Sequence, residues 1–325
     1  MNNLVDLIVD RFLQSETLTA LLAEYDGRSA VFYQQAKESS DALWGDVQYP
    51  RIDYTVDLQE NPSRNTSGVL TVNIWCDAER GEEPEPIEKA VRELLHAAFA
   101  PADEYPFCFA WVRSDAFEGT VEKEKSIHTM GITLFFDIMA CPCQYTMYPD
   151  PIKAMNQWTK LVLPESIVLG EDPIDSWILP TREKPVVYWR IAAQGTQEKH
   201  FTHTWLNITL EGHVYARTAA DRLYNLVRLG TAQALSGHIP MEDTSPLFLK
   251  EYTCKPNVNY LSQGQIQASG RFGLLQPWYG KQPDPKLNHA NTTIKTEEKE
   301  KQHGKGNDVQ TINAPRHGRA YIRSR

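Results

Sequence analysis

The sharpest local pattern of reactive side chains is Cys141-Pro142-Cys143, in which two thiols stand two residues apart. Such a pair can ligate a metal ion or cycle between dithiol and disulfide. The sequence has no second close pair of cysteines to complete a metal site, and the intervening proline marks the end of a strand. The pattern therefore favours a structural role, and the odd total of five cysteines favours a reduced compartment.

The other candidate ligands are three histidines and one acidic segment. His200, His203 and His213 flank a strand predicted over 201–213, and the strand period does not place His200 and His203 on one face. The segment 77–89 is acid-rich but lacks the ordered ligand spacing of a calcium loop, so it predicts a solvated helix start. Phosphate-loop, dinucleotide, serine-hydrolase and zinc-protease motifs are also absent from the sequence. We expect no enzyme, no cofactor and no metal.

The charge is unevenly distributed along the chain. The total is −9, but residues 281–325 hold ten Lys and Arg against five Asp and Glu, so the first 280 residues carry −14. A body this acidic argues against specific nucleic-acid binding and favours either solubility or a protein partner with a basic surface. No apolar run approaches the roughly 20 residues of a membrane span. The N-terminus lacks the features of a signal peptide, so we expect an intracellular product and no membrane partner.

Two distant parts of the chain predict the same structure at an offset of 136 residues. The alternating apolar residues of 70–74 return at 206–210 in the same phase, as in strands with one buried face. The strand 128–140 pairs with 264–276, and 48–58 matches 183–193 after a one-residue shift. The apolar helix stripes pair as Ile87 with Leu223, Ala90 with Leu226, Val91 with Val227, Ala98 with Ala234 and Phe99 with Leu235. These matches predict a duplicated domain.

Each copy begins with a helical stretch, 4–22 and 152–163, and continues with strands around a single helix. This order predicts an α+β fold of two tandem related domains, each an antiparallel sheet packed by helices. The domains are predicted over 1–143 and 152–278, joined by a proline-containing linker at 144–151. Residues 279–325 have few large apolar side chains, which predicts a disordered tail with a basic end.

Two tryptophans stand out of phase with the apolar residues of their strands. Trp75 is out of phase with the apolar residues Val72 and Ile74 of its strand, and Trp205 is out of phase with Leu206. Both indoles are therefore predicted to face away from the helix. A large apolar group on an outer sheet face indicates either a partner protein or cover by another part of the chain. Both possibilities remain open.

The sequence pattern of residues 4–143 resembles that of the tail-terminator, or tail-completion, family of long-tailed bacteriophages. The segments that carry the resemblance are VFYQQA, YPRIDYTV, LTVNIWC, IEKAVRELLHAAF and ITLFFDIMACP. The resemblance implies a non-enzymatic virion protein, assembled in the host cytoplasm, that forms a hexameric ring, ends the tail tube and meets the head connector or neck protein. The second copy and the long tail depart from the single-domain pattern. We favour six chains with the second domains as an outer or stacked layer; three chains forming a pseudo-hexamer is the other possibility.

Predicted interface residues lie in three places. They are Arg64 in the polar loop 59–68, the acidic helix start with Glu82, Glu83 and Glu85, and the basic tail end with Arg316, Arg319, Arg323 and Arg325. One alternative is that the protein is another virion component, a neck or connector protein or a baseplate protein. A second alternative is a small-molecule-binding or enzymatic α+β protein with a site between the repeats, for which Cys141, Cys143 and His128 would be the candidate groups.

Overall fold

A computed structural model of the chain describes residues 4–38, 40–61, 66–121, 127–256 and 264–275. The helices are α1 (Leu4–Leu13), α2 (Glu16–Thr19), α3 (Glu85–Leu95), α4 (Pro151–Val162) and α5 (Ala219–Leu235). The strands of the first half are β1 (Glu24–Tyr25), β2 (Arg28–Ser29), β3 (Val31–Tyr33), β4 (Arg51–Asp57), β5 (Gly68–Asp77), β6 (Phe99–Ala100), β7 (Phe107–Val121) and β8 (Ile127–Ala140). Those of the second half are β9 (Ile167–Val168), β10 (Val186–Lys199), β11 (His203–Tyr215), β12 (Ile239–Pro240), β13 (Pro246–Cys254) and β14 (Ile266–Leu275).

Twelve of these strands form two six-stranded sheets of identical topology. Sheet 1 has the order β3-β4-β5-β8-β7-β6, and sheet 2 has the order β9-β10-β11-β14-β13-β12. In each sheet the first pair is parallel and the others are antiparallel. Helices α1 and α2 precede sheet 1, and α4 precedes sheet 2. In each sheet one further helix connects the third strand to the far edge strand, α3 before β6 and α5 before β12. The predicted α+β fold of two tandem related sheet domains is therefore confirmed; the predicted tail lies outside the described residues.

The offset of 136 holds where the two central strands pair. Leu70 lies opposite Phe136 in sheet 1, and Leu206 lies opposite Phe272 in sheet 2. All four side chains are buried. The same alternation of apolar residues therefore builds the same strand pair twice, with one face of each sheet toward its helices.

The helix stripes do not keep this offset, and the predicted pairing of Ile87 with Leu223 and Val91 with Val227 is wrong. Ile87 and Val91 are buried, whereas Leu223 and Val227 are 45% and 55% exposed. Ala234 and Leu235 are also exposed. The buried face of α5 consists of Asn225, Leu226, Leu229 and Gln233. The two helices follow connections of different length, residues 78–84 before α3 and 216–218 before α5, so the offset of the central strands does not extend to the helices.

Local signals explain the helix boundaries. The helix predicted over 4–22 is two helices, because the Ser15 side chain accepts a hydrogen bond from the Leu18 amide and starts α2. Thr218 caps α5 in the same way through the Asp221 amide. None of the described helices is long and apolar enough to cross a membrane.

The linker is ordered by one buried carboxylate. Asp150 accepts hydrogen bonds from the amides of Thr146 and Met147 through Oδ2 and from those of Ile152 and Lys153 through Oδ1. The first two bonds hold the connecting loop and the other two cap α4. Residues Met1–Pro277 form one compact unit that contains both sheets. The domain boundaries inside it stay a prediction.

Candidate functional site

The two sheets meet in a shared apolar core, which we call the junction core. Sheet 1 contributes Phe99, Cys108, Ala110, Met139 and Cys141, and sheet 2 contributes Ile167, Leu169, Val186, Tyr188 and Tyr215. All of these side chains are buried. The Phe99 ring meets the Tyr215 ring edge-on, with centroids 4.9 Å apart. The apolar area buried here stabilises the docking of one sheet on the other.

A backbone bridge and a tryptophan reinforce the junction. The amide of Phe99 donates to the Ile178 carbonyl at 2.9 Å, and the Ile178 amide donates back at 3.1 Å. Trp177 stacks on Phe109 with centroids 5.8 Å apart, and the Arg11 guanidinium lies 5.3 Å from the indole. The segment between β9 and β10 therefore reaches across to the first domain.

A cleft of about 350 Å³ opens beside the junction core. Polar and apolar residues line the cleft, and the charged residues among them are Glu60 and Arg190. Arg190 is already paired, since its Nε and Nη2 donate to Glu211 Oε2 at 2.8 and 2.6 Å. The Tyr188 hydroxyl donates to the Pro142 carbonyl at 3.0 Å. The Tyr188–Pro142 hydrogen bond therefore joins the two domains, whereas the Arg190–Glu211 pair lies within sheet 2.

The cysteines and His128 do not form a reactive cluster. Cys141 is buried in the junction core, whereas Cys143 is exposed. Burial raises the pKa of Cys141 to about 12 and raises that of Cys108 as well. His128 lies at the far end of β8, 13 residues from Cys141, which is roughly 40 Å along a strand. The site with Cys141, Cys143 and His128 is therefore not assembled.

We expect Cys143 to be the only cysteine of the native protein whose thiol reacts rapidly with a thiol reagent. A thiol reagent such as DTNB should label one cysteine per chain rapidly, because Cys76, Cys108 and Cys141 are buried and thiolate is the reactive form. Cys254, which is half-buried, should react more slowly. Cys143→Ser should remove the fast phase, and Cys141→Ser should leave it. Rapid labelling of Cys141 in the native state would contradict this placement.

The histidines lie in two separate places. His200 and His203 stack with ring centroids 4.6 Å apart, contrary to the prediction that they do not share a face. The reason is that the chain reverses between β10 and β11, so strand alternation does not apply between them. His213 is buried beside Tyr188 and Tyr215. Within the described ranges there is no cluster of three or more metal-ligating side chains.

His96 lies at the end of α3, where its Nδ1 accepts a hydrogen bond from the Trp111 amide at 3.2 Å. Burial, followed by the positive charges of Arg222, Arg92 and Arg217, lowers the pKa of His96 from 6.5 to about 4. The folded state therefore favours the neutral imidazole. Its contribution to stability is complete above pH 6.5 and is lost as the pH falls toward 4.

We expect acidification to destabilise the protein partly through His96. Between pH 6.5 and 4.5 the free energy of unfolding should fall by about 1–2 kcal/mol more in the unmodified chain than in His96→Gln, after allowance for solvent screening. Urea unfolding at both pH values measures this difference. Equal pH dependence in the two proteins would show that His96 is not held neutral by the fold.

Trp75 and Trp205 face away from the helices, as predicted. The Trp75 indole donates to Asp53 Oδ2 at 2.6 Å and meets the Phe117 ring at 4.7 Å. Asp53 also accepts from Asn73 at 2.6 Å. Burial raises the pKa of Asp53, and these two hydrogen bonds oppose that rise. Trp75 is thus half-covered by its own sheet rather than by a second layer.

Trp205 has a different environment on the outer face of sheet 2. The Arg271 guanidinium lies 5.1 Å from the Trp205 ring and 5.9 Å from Phe248. Both aromatic side chains are half-exposed. Leu275, at the end of the neighbouring strand, is 81% exposed. The outer face of sheet 2 therefore exposes apolar side chains, with one arginine between two of its aromatic rings.

The predicted interface residues have mixed outcomes. Glu83 and Glu85 are exposed at the start of α3, whereas Glu82 Oε2 accepts the Asp77 amide at 3.0 Å and so caps the turn. Glu82 and Glu83 also border a shallow groove with Leu21, Pro50, Gly81, Pro86 and Ile87. Arg64, Arg316, Arg319, Arg323 and Arg325 lie outside the described residues.

Sequence reasoning missed that the tyrosine and arginine at the start of β4 recur at the corresponding place in β10. Arg51 lies opposite Trp75, and Arg190 lies opposite Glu211, which is 136 residues beyond Trp75. The offset between β4 and β10 is therefore 139, and the predicted match of 48–58 with 183–193 is in the wrong register. At 139 the tetrapeptide Tyr49-Pro-Arg-Ile superposes on Tyr188-Trp-Arg-Ile. This repeated Tyr-x-Arg-Ile was the signal that would have revealed the pair.

No protein-family model matches the sequence, and no curated protein is significantly similar to it. Function must therefore be inferred from the repeated fold, the junction between the sheets and the surfaces that each domain exposes.

Proposed function

We propose that this chain is a structural protein of a bacteriophage virion, a tail terminator that caps the tail tube and joins it to the head connector. The observation that carries the proposal is the way the repeated domains pack. Sheet 1 uses its β6 side and sheet 2 uses its β9 side, so two related domains meet through non-equivalent surfaces. Contacts of this head-to-tail kind generate closed rings when each step includes a rotation.

The segments that resemble the tail-terminator family lie in four strands of sheet 1 and in helix α3. VFY is β3, RIDYTVD is β4, GVLTVNIWCD is β5, EPIEKAVRELL is α3, and the closing segment ends β8. The α+β architecture of the first domain supports the proposal, and the second domain extends it to a chain with two such units.

The proposed partners are other copies of the chain, the tail tube protein and a head connector or neck protein. The resemblance implies a hexameric ring, which six chains would form with the second domains as an outer or stacked layer; three chains forming a pseudo-hexamer is the other possibility. The acidic body favours a basic surface on the tube end, because charge complementarity accelerates and orients association. Glu83 and Glu85 are exposed next to a groove and are the described acidic groups best placed for such a contact.

Arrest of tube growth tests this function. Tube protein from the same virus should stop elongating when the purified chain is added, and the tubes should be shorter. The double variant Glu83→Lys, Glu85→Lys should arrest growth less well, while Glu165→Lys, on an exposed turn before sheet 2, should act like the unmodified chain. Unchanged tube length in a molar excess of the chain would overturn the proposal. Binding at the opposite tube end would instead assign the protein to the baseplate.

A further inference from the structure

Helix α5 has large apolar side chains on two faces, and only one of these faces packs into the core of its domain. Leu226 and Leu229 belong to the buried face. The opposite face carries four exposed large apolar side chains, which are Leu223, Tyr224, Val227 and Leu235. Their exposure ranges from 41% for Tyr224 to 83% for Leu235. A single helix therefore concentrates apolar groups that elsewhere on a protein surface occur singly.

These side chains form one continuous stripe along the helix, which we call the outer stripe. It consists of Leu223, Val227, Thr231, Ala234 and Leu235, all of them exposed. Residues three or four positions apart are neighbours on a helix surface, and 12 residues correspond to about 18 Å of axis. Because Thr231 and Ala234 are small, a second helix can approach closely along this stripe.

The related helix of the first domain shows that the fold itself does not require an apolar outer face. Helix α3 occupies the equivalent place beside sheet 1, and its exposed residues are Glu85, Pro86, Lys89 and Glu93. Three of these four are charged, as is usual for a surface helix. The outer stripe is thus a property of α5 alone within the duplicated fold.

Positive charges lie beside the outer stripe. The Arg182 guanidinium carbon is 4.0 Å from the centroid of the Tyr224 ring, and that of Arg228 is 5.7 Å from the same centroid. Arg228 Nη2 also donates to the Val162 carbonyl oxygen at 3.1 Å. A carbonyl oxygen carries no net charge, so this hydrogen bond leaves the charge of Arg228 in place. The aromatic and aliphatic groups of α5 are therefore combined with two cations.

The local charge is opposite to that of the rest of the folded chain. Residues 217–235 contain three arginines and one aspartate, which gives +3 − 1 = +2, whereas the first 280 residues together carry −14. Glu183 and Lys184, the exposed neighbours of Arg182, cancel each other. A small basic area on an acidic molecule attracts a negatively charged group of similar size to that area.

The charges also argue against three other occupants of the outer stripe. Two copies of the chain meeting through the same face would bring Arg182 and Arg228 of one copy toward the same arginines of the other. An anionic membrane or a nucleic acid extends well beyond α5 and would be repelled by the acidic body. An acidic helix is small enough to touch the outer stripe and its arginines only.

We propose that the outer stripe of α5 binds an amphipathic α-helix of a partner protein, in which acidic side chains lie beside an apolar stripe. The apolar side chains of that helix would pack on Leu223 and Val227, and its carboxylates would pair with Arg182 and Arg228. Such a site would exist whether or not the chain caps a tail tube.

A designed peptide tests this site in the full-length chain. The probe is a fluorescein-labelled peptide of about 18 residues with leucines at i, i+3, i+4 and i+7 and glutamates beside them. By fluorescence anisotropy we expect a Kd of about 10–100 µM. A permuted peptide of the same composition, with its leucines spread around the helix, should bind at least about tenfold more weakly. Equal binding of the two peptides, or no binding of the first at about 1 mM, would overturn the proposal.

Two substitutions on α5 locate the binding. Val227→Asp and Arg228→Glu should each weaken binding of the leucine-striped peptide by about tenfold or more. The matched controls are Val112→Asp on β7, where the valine is 41% exposed, and Arg28→Glu on β2, where the arginine is exposed. Both controls should leave the Kd within about twofold of the unmodified chain. Circular dichroism of the four variants checks that they fold, and undiminished binding by folded Val227→Asp would overturn the proposal.

The same variant distinguishes the other occupants. Cosedimentation of the unmodified chain, but not of Val227→Asp, with phosphatidylglycerol vesicles would assign the outer stripe to a membrane surface. A dimer at about 100 µM that Val227→Asp abolishes would assign it to a second copy of the chain. Either result would replace the partner helix and overturn the proposal.

Discussion

Phe99→Ala should lower the free energy of unfolding by about 3–5 kcal/mol. The Phe99 ring is fully buried in the junction core against Tyr215, and the backbone of Phe99 bridges to Ile178. Removing the ring leaves a cavity where the two sheets meet, so the coupling between the domains should also weaken. Urea unfolding followed by tryptophan fluorescence measures both effects. The midpoint of unfolding reports the loss of stability, and weaker coupling should broaden the single transition or divide it into two.

Phe117→Ala is the matched control. Phe117 is an aromatic residue of the same domain, but it is half-exposed and contacts Trp75 on the outer face of sheet 1. Its removal should cost about 1 kcal/mol and leave the shape of the transition unchanged. If both variants lost the same stability with unchanged transitions, Phe99 would not couple the two sheets.

Gly131→Ala should be the most damaging small substitution in sheet 1, with a loss of about 3 kcal/mol or more. Gly131 lies opposite Trp75 in the β5–β8 pair. A Cβ there would overlap the Ile74 carbonyl oxygen and the ring of Phe117. Since the carbonyl belongs to the neighbouring strand, relief would require the two central strands to separate. Thermal unfolding of the variant measures the loss.

Gly119→Ala provides the comparison for Gly131. Gly119 is on β7, where an added Cβ would come no closer than 3.6 Å to Thr129 Oγ1. We expect its stability to stay within about 0.5 kcal/mol of the unmodified chain. Similar losses at the two glycines would mean that general glycine effects, and not the close approach to Ile74, determine the cost.

Local patterns were sufficient to predict the repeated fold. The alternation of apolar residues around Val72 and Ile208 fixes which face of each strand is buried, and this signal lies within five residues of sequence. Trp75 and Trp205 were placed on the outer faces by the same alternation. These features depend on short-range periodicity, which a single sequence contains.

Features that depend on long-range contacts were mispredicted or missed. The exposure of Leu223 and Val227 reflects the shorter connection before α5, residues 216–218 against 78–84 before α3, which apolar spacing alone did not reveal. Cys141 was recognised as structural, but its burial in the junction core depends on a partner surface from another domain. The register of Arg51 and Arg190 is set by strand pairing, and only the repeated Tyr-x-Arg-Ile indicates it.

Electron microscopy of tail tubes incubated with the gold-labelled chain tests the tail-terminator function most directly. The account predicts label at one end of each tube only, with ring-shaped density at that end. Label along the length of the tubes, or tubes without label in an excess of the chain, would contradict it.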